Sequence, residues 1–139
     1  MIDREVVDSL TNAGWFPGRR VDITALERLG LSLFPAAKSV LQEFFGLHIG
    51  VCGPGKECAT SDVLVDPSAT THLLEELREY EQLLGVRLFP LGEVHRSYGF
   101  LLIDERGRTY LLSDEIIPFA RSFDDSLEKL VKGLLPDKA

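Results

Sequence analysis

The chain has 139 residues, 45% of them hydrophobic and 27% charged, with a net charge of −7 at pH 7. That length holds one core and is short for two, so a single domain over residues 1–139 is expected, without a membrane helix because no segment reaches the ~18 consecutive apolar residues of a span. The acidity is concentrated in residues 31–86, which carry eight acidic and three basic side chains, and a field of that sign argues against nucleic acid or an anionic membrane as partner while it speeds encounter with a basic one.

Met1-Ile2-Asp3-Arg4-Glu5 mixes both charge signs and leads into no apolar stretch of secretory length, so no signal peptide is expected and the cytoplasm is the expected compartment. The two cysteines, Cys52 and Cys58, are then expected to be free thiols.

Taken in order, Val6, Val7 and Leu10 recur at helical spacing before Gly14, which predicts a helix over about residues 3–13. Asp22 is the expected N-cap of a second helix that carries Leu26 and Leu29 and ends at Gly30. Pro35 suits the first turn of a third, with Val40, Leu41, Phe44 and Phe45 as its apolar face before Gly46. Leu47, Ile49 and Val51 alternate with His48, Gly50 and Cys52, the period of a half-buried strand, and Gly53-Pro54-Gly55 breaks it. A second strand is expected from Thr60 to Val65. Asp66-Pro67 opens a long helix with Leu73, Leu77, Tyr80 and Leu84 on one face, Glu75, Glu76, Glu79 and Glu81 on the rest, and Gly85 as its stop.

Val86 to Phe89 reads as a strand that Pro90 confines to an edge or an end. The clearest local signal follows: Tyr98 to Ile103 and Arg108 to Ser113 flank Asp104-Glu105-Arg106-Gly107, a β-hairpin with glycine available for the left-handed turn position. Both of its strands are largely apolar on both faces, which places it near the centre of an antiparallel sheet. Ser122 caps a last helix, with Asp125 as capping-box partner and Leu127, Leu130, Val131 and Leu134 inward. The expected fold is α+β, an antiparallel sheet of about five or six strands with helices packed against it.

No catalytic residue, cofactor or metal is expected. Gly50-Val-Cys-Gly-Pro-Gly55-Lys56 matches most of a phosphate-binding loop, but Glu57 stands where Ser or Thr would hold Mg²⁺, and the following segment reads as strand, not helix. His48, Cys52, Cys58 and His72 do not have zinc-site spacing, since five residues separate the cysteines. The adjacent acidic pairs Asp104-Glu105, Asp114-Glu115 and Asp124-Asp125 read as solvated turn and cap residues, and His95 as an ordinary exposed histidine. There is no nucleophile elbow, His-Glu-x-x-His pair or Rossmann turn.

Ala13-Gly14-Trp15-Phe16-Pro17-Gly18-Arg19-Arg20-Val21-Asp22 resembles the N-terminal signature of the third subgroup of the SUKH superfamily. The likeness continues through the Gly30 turn, Val40-Leu41-Gln42-Glu43-Phe44-Phe45-Gly46-Leu47, Leu88-Phe89-Pro90-Leu91-Gly92-Glu93 and Leu102 to Tyr110, in the family's order and over nearly the whole chain. These residues read as structural: Trp15 as an anchor between the first two helices, and Arg19 and Arg20 as partners of Asp22 or caps on carbonyls. The resemblance implies a SUKH-like fold and an immunity protein that binds a cognate toxin, many such toxins being nucleases. It leaves open a regulatory or scaffold module, since the superfamily also includes eukaryotic regulators of cell-wall synthesis. An acidic inhibitor suits a basic nuclease toxin. Glu57 and Asp62 around the first hairpin, with Glu75, Glu76 and Glu79 on the long helix, are the expected partner-binding residues, weighed against a merely solvated helix face.

Overall fold

A computed structural model describes residues 3–28, 33–95 and 99–137, with Ala69 described only in its backbone. Helix α1 (Arg4–Asn12) is followed by a 3₁₀ turn (Thr24–Arg28), helix α2 (Pro35–Phe44) and the two short strands β1 (His48–Ile49) and β2 (Val63–Leu64). A 3₁₀ segment (Pro67–Leu73) runs into α3 (Leu74–Leu84), and then come β3 (Leu88–Val94), β4 (Gly99–Asp104), β5 (Thr109–Leu112), β6 (Ile116–Ala120) and α4 (Phe123–Lys132). The six strands lie in sequence order, each antiparallel to the next. The expected α+β architecture is therefore present.

Strand alternation divides the core between the two faces of this sheet. Ile49, Val63, Phe89, Leu91, Leu101, Ile103, Leu111 and Phe119 meet α1, α2 and α4 through Val6, Leu10, Leu41, Phe44, Phe123, Leu127 and Leu130. On the other face Leu88, Leu102, Tyr110 and Leu112 pack under Leu73 and Leu77. The burial of each such large apolar side chain contributes roughly 1.5–3 kcal/mol relative to exposure, so the larger cluster is the main source of stability.

Capping follows the sequence closely. Asp3 accepts from the Glu5 N–H, and Ser122 accepts from the Asp125 N–H. Gly85 and Gly133 end α3 and α4 in the left-handed conformation.

Several local expectations are corrected. The turn after Asp22 is 3₁₀, with Asp22 accepting from the Thr24 N–H and hydroxyl; Leu29 and Gly30 lie outside the described residues. The segment after Asp66 also begins as 3₁₀ rather than α-helix. There Ser68 and Thr70 turn their hydroxyls to Asp66 and to the Pro67 carbonyl, competing with regular helix geometry. Leu84, expected inward, is exposed. The strand expected over residues 47–52 stops at Ile49, because Gly50 adopts a φ of +84° and a Cβ there would stand 2.8 Å from the Ser61 carbonyl oxygen.

Pro90 lies inside β3, an interior strand, not at a strand end. Its position is still open on one side, since β2 reaches only Glu93 and Val94 while β4 pairs along the whole length. Leu134 follows the α4 cap instead of lying on the helix. Strand β6, with Pro118 opposite Tyr110 at the sheet edge, has no counterpart in the sequence reading. Asp104 is fully buried rather than solvated, while its neighbour Glu105 is exposed.

Candidate functional site

At the β1 end of the sheet three chain segments bring chemistry-bearing residues together. Ile49, Val63 and Val94 face the larger core, so His48, Asp62 and His95, each one residue away, project from the opposite face. The pairing of Ile49 with Val63 and of Val63 with Val94 sets the three side by side. His48 Nε2 lies 2.5 Å and His95 Nδ1 2.6 Å from the same oxygen, Asp62 Oδ2. The Cys52 thiol donates toward Asp62 Oδ1 at 3.6 Å, and the second nitrogen of His95 stands 3.5 Å from Glu93 Oε2.

The Asp62 side chain is only 12% exposed, against 57% for His48 and 47% for His95. Burial pushes the Asp62 carboxyl up, but the hydrogen bonds and charges of His48 and His95 outweigh it and hold the group below the ordinary aspartate value. The carboxylate is thus kept ionised inside, with both imidazoles reachable from solvent. A groove of about 330 Å³ lined by Ser9, Asn12, Ala13, Gly50 and Val51 runs up to His48.

Sequence reasoning named Asp62 for another reason, and set His48 and His95 aside. The zinc set it weighed is not assembled: His72 stacks edge-on against Phe100 with ring centroids 5.7 Å apart. The Cys58 N–H is bound to the Gly133 carbonyl.

The five expected partner-binding residues are divided between separate places. Glu75, Glu76 and Glu79 are exposed on α3, over the smaller cluster, and their carboxylates make no hydrogen bond or ion pair among the described residues. Asp62 is turned inward to the histidines. Glu57, on the loop between β1 and β2, accepts from the Leu135 N–H beyond α4. A further acidic groove of about 440 Å³, lined by Asp3, Asp124, Asp125 and Glu128, escaped the sequence reading. Half of its charge is compensated, since Lys132 bridges Asp3 and Glu128, and Arg121 pairs with Asp125.

The glycine-rich loop has a packing explanation. The Lys56 N–H donates to the Lys132 carbonyl, and those of Glu57 and Cys58 to the Gly133 carbonyl. The N–H groups at the end of the loop, residues 56–58, are thus engaged at the C-terminus of α4 and not free for a phosphate.

A family model described as "SUKH-3 immunity protein" matches residues 2–133. The chain belongs to the SUKH-3 immunity protein family. No curated protein and no solved structure matches it. In this SUKH-3 chain the N-terminal signature acts as a fastening for α2. Trp15 Nε1 donates to Glu43 Oε2 at 2.9 Å, Arg19 donates to the Glu43 and Phe45 carbonyls, and the Val21 N–H donates to the Gln42 carbonyl. Of the two roles considered for Arg19, carbonyl capping is the one observed. Trp15 thus ties the end of α1 to α2 and packs against the larger core. Among the described residues of the SUKH-3 chain no helix is long and apolar enough to cross a membrane.

Proposed function

We propose that this chain, as one domain acting in the cytoplasm, binds a cognate toxin protein and neutralises it by steric and electrostatic occlusion, catalysing no reaction itself. The observation that carries this reading is the immunity-family match over residues 2–133. The acidic balance supports a basic toxin such as a nuclease, and neither nucleic acid nor membrane is a partner in this reading.

The steering surface is the outer face of α3, where Glu75, Glu76 and Glu79 carry uncompensated charge. Glu57 and Asp62 belong to a second contact area around the β1–β2 loop, Glu57 directly and Asp62 by fixing the two exposed imidazoles. The test is co-expression with the toxin encoded beside it: growth of toxin-expressing cells should be restored and a stable complex recovered. Cell death despite abundant soluble protein, with no complex on gel filtration, overturns the proposal.

A further inference from the structure

We infer that His48, Asp62 and His95 form a binding site for one divalent transition-metal ion of zinc's class, with a coordination position open to solvent. The inference is independent of the toxin-binding reading. Two imidazole nitrogens and a carboxylate oxygen lie within 4.8 Å of one another, a donor set that suits zinc and its neighbours rather than calcium or magnesium.

Both imidazoles converge on one oxygen, Oδ2, as ligands of a single ion do, while Oδ1 faces the weak thiol donor of Cys52. Two ligands bound to zinc at about 2.0–2.1 Å and a tetrahedral angle stand about 3.3 Å apart. From 2.5 and 2.6 Å, each ring has to withdraw by less than about 1 Å to admit the ion.

Two further features belong to metal sites. His95 offers Nδ1 to the cluster and turns Nε2 toward Glu93 Oε2 at 3.5 Å, where a small closure would make it the carboxylate that stands behind a ligating histidine. The half-exposed rings of His48 and His95 leave the cluster open to entry from solvent. The ion has a mechanical role as well. Strands β1 and β2 have two residues each, and a metal bound by residues at the ends of β1, β2 and β3 clamps this weakly paired edge.

Untagged protein stripped with a chelator and titrated with Zn²⁺ against a chromophoric competitor should bind one ion per chain, and its melting temperature should rise on loading. Co²⁺ should give the visible spectrum of an imidazole- and oxygen-ligated ion. His48→Gln and His95→Gln, at half-exposed positions, should keep the circular dichroism of the parent and weaken binding by at least about a hundredfold. Glu93→Gln should weaken it by about 10–100-fold, as loss of an outer-shell partner does. His72→Gln and Cys52→Ser should bind as the parent does. Absence of saturable one-to-one binding, or binding that survives both histidine substitutions in folded protein, overturns the inference. So does loss of binding in His72→Gln.

Discussion

Asp104 shows how much one side chain holds in this molecule. Its buried carboxylate accepts from the Arg106 and Arg108 N–H groups at one oxygen, and from Arg108 Nε and the Tyr110 hydroxyl at the other. The four donors close the β4–β5 turn from inside. Asp104→Ala leaves the buried tyrosine hydroxyl without its acceptor and should destabilise the fold by about 2–4 kcal/mol, read as a lower denaturation midpoint with unchanged slope. Tyr110 responds to alkali for the same reason. Burial, then the neighbouring carboxylate, pushes its hydroxyl from 10.0 up to about 12. Below pH 10 both folded and unfolded chains hold the proton; between pH 10 and about 12 the unfolded chain releases it first, so stability falls as pH rises. Tyr110→Phe should flatten that part of the stability profile and cost about 1 kcal/mol at neutral pH. The hairpin itself was legible from its Gly107 turn. The inward aspartate was not, since an acidic pair in a turn looks solvated until the register shows which member faces the sheet.

Among the elements, the β1–β2 loop and the end of α4 pack backbone against backbone. A Cβ on Gly133 would stand 2.1 Å from the Cys58 carbonyl oxygen, and one on Gly55 2.7 Å from Gly133 Cα. Gly85, the corresponding cap of α3, has the same backbone handedness and nothing within 4 Å. Gly133→Ala should therefore cost at least about 2 kcal/mol, from strain and overlap together, and Gly85→Ala only about 1. Thermal melts of the two variants give the comparison directly. Gly85 was readable as a helix stop, whereas Gly133 was not, since the apolar pattern of the helix runs on to Leu134; the packing demand on Gly133 arises from the segment at Gly55 and Cys58, far earlier in the chain. Pro90 misled for a related reason. A proline says that one side of a strand is unpaired at that residue, not where the whole strand lies in the sheet.

For the whole molecule, the net charge of −7 bears on association kinetics more than on the fold. With Glu75, Glu76 and Glu79 reversed together to lysine, the association rate with a basic toxin should fall by about tenfold or more at low ionic strength. The parent's rate should itself drop as salt is added, whereas its dissociation rate should change little. Stopped-flow mixing over a salt series measures both, and a rate indifferent to salt and to the reversal would remove α3 from the contact surface. The α+β class, the central hairpin and the family were all legible in the sequence, because they rest on local periodicity and on motifs in order. The histidine cluster was hidden. His48, Asp62 and His95 are separated by 14 and 33 residues, and only the β1–β2–β3 register makes them neighbours.

The pinned loop also bears on how such a surface can change over generations. A defender that must keep pace with an altered adversary needs positions where one replacement does not disturb the framework. Glu57 is a poor candidate, because its carboxylate holds the Leu135 N–H beyond α4. The carboxylates of Glu75, Glu76 and Glu79 on α3 have no hydrogen bond or ion pair among the described residues, so under the proposed toxin-binding reading specificity can be rewritten there one codon at a time while the scaffold beneath stays as it is.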